Sequence, residues 1–174
     1  MLFRSSMENK VKISKKVLLM VALILVLVVG TTAYLNQKDI SRGTYLTVIK
    51  GDKETARYSM KDLMEMDKAK VKVDLKSAAG KDVKGEFTGV WLCHLLKSTG
   101  INEKEYETVL LIGGDGYTSA AKSKEAGKIL VAYAVDGNPL EKYGKGGTGP
   151  IRCIFAEDTF GNRSVMHLVR IQCN

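Results

Sequence analysis

The sequence predicts an α+β domain, a mixed β-sheet core with short helices, placed behind one N-terminal transmembrane helix. Two observations carry this prediction. No charged side chain occurs from Val17 to Leu35, and the remainder interleaves β-branched apolar stretches with brief helical periodicities, an order that suits a mixed sheet and not a doubly wound nucleotide fold. At 174 residues, with 45% hydrophobic and 26% charged side chains, the chain has room for one globular core.

The apolar run comes first. Val17 to Val29 is unbroken apolar sequence, and a helix from Val17 to Leu35 would reach roughly 28 Å, about the thickness of a bilayer's hydrocarbon. Residues 1–16 form a basic segment in which Arg4, Lys10, Lys12, Lys15 and Lys16 stand against Glu8, so half of the net charge of +8 precedes the run. That asymmetry keeps the N-terminus in the cytoplasm and places the rest outside, as a single-pass cell-membrane protein. Thr31-Thr32-Ala33 offers an alternative, cleavage of residues 17–35 as a signal sequence and secretion of the domain. There is no twin-arginine pair, only Lys15-Lys16, so export is expected by the general route, which passes unfolded chains. The remaining positive charge is mild and mixed with Asp and Glu, which excludes a nucleic-acid surface.

Residues 36–43 read as a linker and 44–174 as the folded domain. Thr44 to Ile49 is β-branched and aromatic, a strand, and Gly51-Asp52 turns the chain. Ser59 with Asp62 starts a short helix as a capping box, and Val71, Val73 and Leu75 alternate as the next strand, followed by a loop from Ser77 to Lys84. Trp91, Leu92, Leu95 and Leu96 predict a helix over Val90 to Thr99, capped by Gly100. Thr108 to Ile112 is a buried strand ending in the turn Gly113-Gly114-Asp115-Gly116, and Ala120 to Ala126 is expected to add a helical turn. Ile129 to Val135 is a strand closed by the turn Asp136-Gly137-Asn138-Pro139. A glycine-rich loop then leads to strands Ile151 to Phe155 and Val165 to Gln172, expected to form a closing hairpin or an arrangement close to one.

Cys153 and Cys173 lie on these closing strands, where an oxidising exterior would allow a disulfide if the strands are neighbours. Cys93 reads as a structural thiol inside its helix, and His94 beside it points in another direction. His167 reads as a partly exposed strand residue. No closed zinc site can be drawn. Asp115, Tyr117 and Arg152 are the candidate ligand-binding residues. Arg152 is suited to an anion or a structural carboxylate, Tyr117 to stacking or a core edge, and the glycine turn at Asp115 to a strand end or a phosphate cradle.

Phe87-Thr88-Gly89-Val90-Trp91-Leu92 with Leu95-Leu96 resembles the segment by which sulfite-oxidase-type molybdopterin-binding domains enter a core helix. Asp115-Gly116-Tyr117, Asn138-Pro139-Leu140, Gly149-Pro150-Ile151-Arg152 and His167-Leu168-Val169-Arg170-Ile171 follow in the family's order, spanning Tyr45 to Ile171. Gly89 would permit the strand-to-helix corner. The resemblance implies a molybdopterin cofactor whose metal takes one cysteine thiolate from the loop ahead of that corner, and here no cysteine occurs between Val73 and Glu86. It therefore implies an anchored, non-catalytic relative, with no catalytic or metal-ligating residue assigned, that binds a small anionic or ring-shaped ligand or a protein partner. The alternative is a molybdopterin-dependent oxidoreductase, performing oxo transfer or electron transfer with a membrane redox partner.

Overall fold

The computed structural model describes residues 16, 20–28, 31, 45–77, 82–143 and 146–174. It divides into two units, Met1–Ser41 and Arg42–Asn174. In the first, residues 20–28 are helical, and large apolar side chains such as Leu23, Ile24 and Val26 are more than half exposed. Among the described residues no helix is long and apolar enough to cross a membrane. The expected span 17–35 lies partly outside the described residues, as does nearly all of the basic segment 1–16 and the whole linker 36–43.

In the second unit the strands are β1 (Tyr45–Lys50), β2 (Lys53–Ser59), β3 (Ala69–Leu75), β4 (Val83–Trp91), β5 (Thr108–Gly113), β6 (Thr118–Lys122), β7 (Ile129–Val135), β8 (Asn138–Pro139), β9 (Arg152–Phe155) and β10 (Leu168–Cys173). One sheet has the order β2-β1-β10-β5-β6; in the other, β3-β4-β7-β8 form a path and β9 also pairs with β7. Among the described strands β1 and β10 pair parallel and the other ladders are antiparallel.

The two-residue period of a strand sorts side chains between two cores. Leu46, Val48, Val109 and Leu111 from the first sheet meet Ile129, Val131, Tyr133 and Cys153 from the second. Leu130, Ala132 and Ile154 point the other way, into a smaller cluster with Leu75, Phe87 and Leu140. β7 is buried on both faces for this reason. The helix Leu92–Ser98 is too short to stand alone, so its place is set by Leu92, Leu95 and Leu96, each at most 1% exposed and each contributing about 2 kcal/mol by burial. The helix Met60–Glu65 starts with the expected capping box: the Ser59 amide donates to Asp62 Oδ2 at 2.7 Å, and the Asp62 amide to Ser59 Oγ at 3.3 Å.

Several expectations need correction. Val165 to Gln172 and Ile151 to Phe155 do not form a hairpin ladder; β9 belongs to one sheet and β10 to the other, and the two stretches are linked by an antiparallel bridge between Cys153 and Val165 and by the Leu168 amide donating to the Ile151 carbonyl at 2.9 Å. Ala120 is in strand β6, and the turn that follows is the 3-10 segment Ser123–Lys128, because Ala121 packs inward at strand spacing. Strand β4 takes up Val83 and Lys84, the last two residues of the expected loop, and runs through Trp91, so the helix starts at Leu92. Gly89 makes no corner. A Cβ there would sit 2.2 Å from the Val131 carbonyl oxygen, so glycine is required by the close approach of β4 to β7, at a register shift between Thr88 and Gly89.

Candidate functional site

Turn chemistry builds the first part of the site. Asp115 lies in the tight connection from β5 to β6, where its Oδ1 accepts from the Tyr117 amide at 3.0 Å, fixing the turn. The Tyr117 hydroxyl reaches across to the Asn162 carbonyl, and its ring is 47% exposed. The Tyr143 hydroxyl donates to Asp115 Oδ2 at 3.3 Å. Tyr143 in turn stacks on His167, with ring centroids 5.1 Å apart and planes 20° from parallel. Three chain segments are thus tied together by one carboxylate and a stacked pair.

His167 is not the strand residue expected from sequence. It precedes β10 with a left-handed backbone, φ 48°, and is half-buried. Its amide donates to the Thr148 carbonyl and its carbonyl accepts from the Gly114 amide, both at 2.8 Å. Its Nδ1 is buried without a hydrogen-bond partner among the described residues.

Arg152 lies apart from this cluster, on β9 opposite Ala132 of β7. Ile154, two residues on, packs in the smaller core, so Arg152 shares that face by strand alternation. The residue is 8% exposed, and its Nε is buried with no hydrogen-bond partner among the described residues. The structural carboxylate that the sequence offered as its partner is not met: among the described residues no carboxylate pairs with it. Burial without a counter-charge pulls its pKa below the usual guanidinium value. A cation held this way costs several kcal/mol until an anion meets it.

The stretch Val73 to Glu86, where the resemblance places a metal-binding thiolate, carries paired charges. Lys76 bridges Asp82 at 3.0 Å and Asp74 at 3.9 Å, Lys84 bridges Asp74 at 3.2 Å, and the Ser77 amide donates to Asp82 at 3.0 Å. These are hard oxygen donors already neutralised by ammonium groups. All three cysteines are free thiols, Cys153 and Cys173 buried on different sheets and Cys93 half-buried. Burial pushes the Cys153 thiol up to about 12 and the Cys173 thiol to about 11, and raises Cys93 as well. Among the described residues no group of three or more His, Cys, Asp or Glu side chains could hold a metal. The residues present therefore do not fit a molybdenum held by a protein thiolate, although Arg152 fits an anionic group. Exposed His94 and half-buried Cys93 diverge on their helix as expected.

A cavity of about 370 Å³ lies elsewhere, lined by Lys124, Glu125, Lys128, Phe155, Glu157, Asp158 and Arg163. Most of its charge is consumed internally: Arg163 bonds Asp158 through two nitrogens at 2.9 and 2.8 Å, bonds Glu125 at 3.0 Å and lies 4.1 Å over the Phe155 ring, while Lys128 pairs with Glu157. None of the sequence-predicted site residues lines it.

The family model of the oxidoreductase molybdopterin binding domain matches residues 34–174. The chain belongs to this family. Among solved structures, the molybdopterin-binding-domain chain is similar to a protein described as the sulfane dehydrogenase SoxCD from Paracoccus pantotrophus, at 17% identity and a TM-score of 0.61. That likeness, covering 74% of this chain and 37% of the other, shows the fold shared by this molybdopterin-binding domain. No curated protein matches the sequence.

Proposed function

We propose that the chain is a membrane-tethered, extracytoplasmic member of the molybdopterin-binding domain family that acts as a non-catalytic binding module, taking a small anionic ligand on Arg152. The observation that carries this reading is the buried Arg152 side chain, whose Nε has no hydrogen-bond partner and which has no counter-charge among the described residues. Support for the absence of oxo-transfer chemistry comes from the ion-paired side chains around Lys76 and from the lack of any cysteine between Val73 and Glu86. The tether rests on the apolar run from Val17 to Leu35 and the basic residues before it.

A second reading, a molybdopterin-dependent oxidoreductase working with a membrane redox partner, is favoured by family membership. Elemental and pterin analysis of protein purified from its own membrane separates the two. The binding-module reading expects substoichiometric molybdenum and no pterin fluorescence, together with oxyanion-dependent thermal stabilisation that is lost in Arg152→Gln. Stoichiometric molybdenum with pterin would establish the second reading. For the tether, the chain should resist carbonate extraction and be digested by protease only from the outer side. A shortened, released chain would mean cleavage and secretion instead.

A further inference from the structure

We propose that strand β6 is a dimerisation edge, pairing antiparallel with β6 of a second copy of this chain about a two-fold axis through Ala120. The surface shares no residue with the Arg152 site, so the proposal stands apart from the anion reading.

The backbone of β6 has one side spent and one side open. β6 ends its sheet, with β5 as its neighbour. The Gly113 amide donates to the Tyr117 carbonyl at 2.8 Å, and the Ser123 amide to the Glu107 carbonyl at 3.0 Å. Hydrogen-bonded pairs alternate along an antiparallel ladder, so Ser119 opposite Leu111 and Ala121 opposite Val109 also spend their amides and carbonyls on β5. Thr118, Ala120 and Lys122 therefore point theirs outward. Among the described residues the one partner for these outward groups is Glu125, whose Oε2 accepts from the Lys122 amide at 2.8 Å. Beyond Lys122 the chain leaves the edge, because Ser123–Lys128 packs against the helix Leu92–Ser98.

Open edges invite further strands, and the other edge strands are blunted against this. β2 carries Lys53, Glu54 and Arg57 and a register shift against β1. β3 carries Lys70, Lys72 and Asp74, and β8 is two residues long, one of them Pro139. β6 keeps an unbroken register with β5, contains no proline and has one charge, Lys122, at its end.

The strand Thr118-Ser119-Ala120-Ala121-Lys122 is also complementary to itself. With Ala120 on the axis, Thr118 lies opposite Lys122 of the second copy, and Ser119 lies opposite Ala121. No like charges meet, and the small side chains let the two backbones approach. Four hydrogen bonds close the pair: each Ala120 amide donates to the other copy's Ala120 carbonyl, and each Thr118 amide to the other copy's Lys122 carbonyl. On the solvent face, where half-buried Leu110 lies beside exposed Ala120, the apolar row continues through both copies. This symmetry of register and charge selects a second copy as the occupant. A single pairing of five residues buries less than the roughly 800 Å² per partner of a stable dimer, so association depends on concentration.

Full-length protein in detergent should pass from monomer to dimer in sedimentation equilibrium as its concentration rises. Ala120→Cys should form an intermolecular disulfide under mild oxidation, since paired positions lie about 5.5 Å apart between Cα atoms, within disulfide reach. Thr55→Cys, exposed on the blunted edge β2, and the unmodified protein set the background and should cross-link little. Ala120→Pro deletes the outward amide and spares the ladder to β5, so it should fold and weaken the dimer about tenfold or more. Ala120→Lys opposes two ammonium groups across the axis and should also weaken it. Monomer at every concentration up to about 1 mM, cross-linking of Ala120→Cys no faster than of Thr55→Cys, or undiminished dimerisation in a folded Ala120→Lys variant would overturn the proposal. Should Ala120→Pro fail to fold, Ala120→Lys decides, because position 120 faces solvent.

Discussion

The imidazole of His167 occupies the space over Gly114, where a Cβ would lie 2.5 Å from both its Cε1 and its Nδ1. Real Cβ atoms do not approach so closely, so the stack on Tyr143 depends on the absence of a side chain at position 114. Gly114→Ala should lower stability by about 1–3 kcal/mol through overpacking. Adding His167→Gly should recover much of that loss, because it removes both the clash and the left-handed strain. Additive losses in urea unfolding of the double variant would show that the two positions are not coupled.

Gly89 should be less forgiving. Its virtual Cβ meets backbone, the Val131 carbonyl at 2.2 Å and Ala132 Cα at 2.7 Å, and a paired strand cannot yield as a side chain can. Gly89→Ala is expected to cost more than about 3 kcal/mol and to leave little folded protein. Near-wild-type urea unfolding would contradict the close approach of β4 and β7.

Acid should loosen the Glu125 network. The Lys122 amide hydrogen bond, followed by Arg163, holds the Glu125 carboxyl below the usual glutamate value of 4.5. A carboxyl lowered on folding stabilises the native state above its unfolded pKa, and the contribution fades as pH falls through the folded value. Glu125→Gln should therefore cost about 1 kcal/mol at pH 7 and progressively less below about pH 4.5. Arg163→Ala should remove only part of that pH dependence, since the backbone donor remains. An identical gap between wild type and Glu125→Gln at pH 7 and pH 3 would refute the assignment.

Thiol reactivity should follow burial. Cys153 and Cys173 are 0% and 1% exposed with thiols pushed up to about 12 and about 11. Alkylation of native protein at neutral pH should reach Cys93 alone and slowly, and denaturant should release the other two. Intact mass without reductant should show three thiols, and a loss of two hydrogens would reveal a disulfide.

What the sequence disclosed depended on how local each signal was. Ile129 to Val135 was legible to the residue because a strand buried on both faces reads as an apolar run. β2, with the sequence KETARYS, and β6, with TSAAK, are edge strands whose mostly polar or small residues give no such run, so they passed unread. The assignment of β9 and β10 to different sheets is decided by partners far along the chain, which neither strand announces. In the site, the turn glycines drew attention to Asp115 and Tyr117, and the proline and arginine beyond them to Arg152. Tyr143 and His167 were missed as a pair. Twenty-four positions separate them, and a residue with positive φ just ahead of a strand looks from sequence like part of it.

The parallel ladder of β1 and β10, with Thr47 beside Arg170 and Val48 beside Ile171, bears on how the protein comes into being. β10 is the middle strand of its sheet and also supports β5. Until residues 168–173 have left the ribosome, β1 and β5 have nothing between them. Assembly of that sheet waits until residues 168–173 have been made, leaving the strands synthesised before them dependent on whatever shields their apolar faces in the meantime.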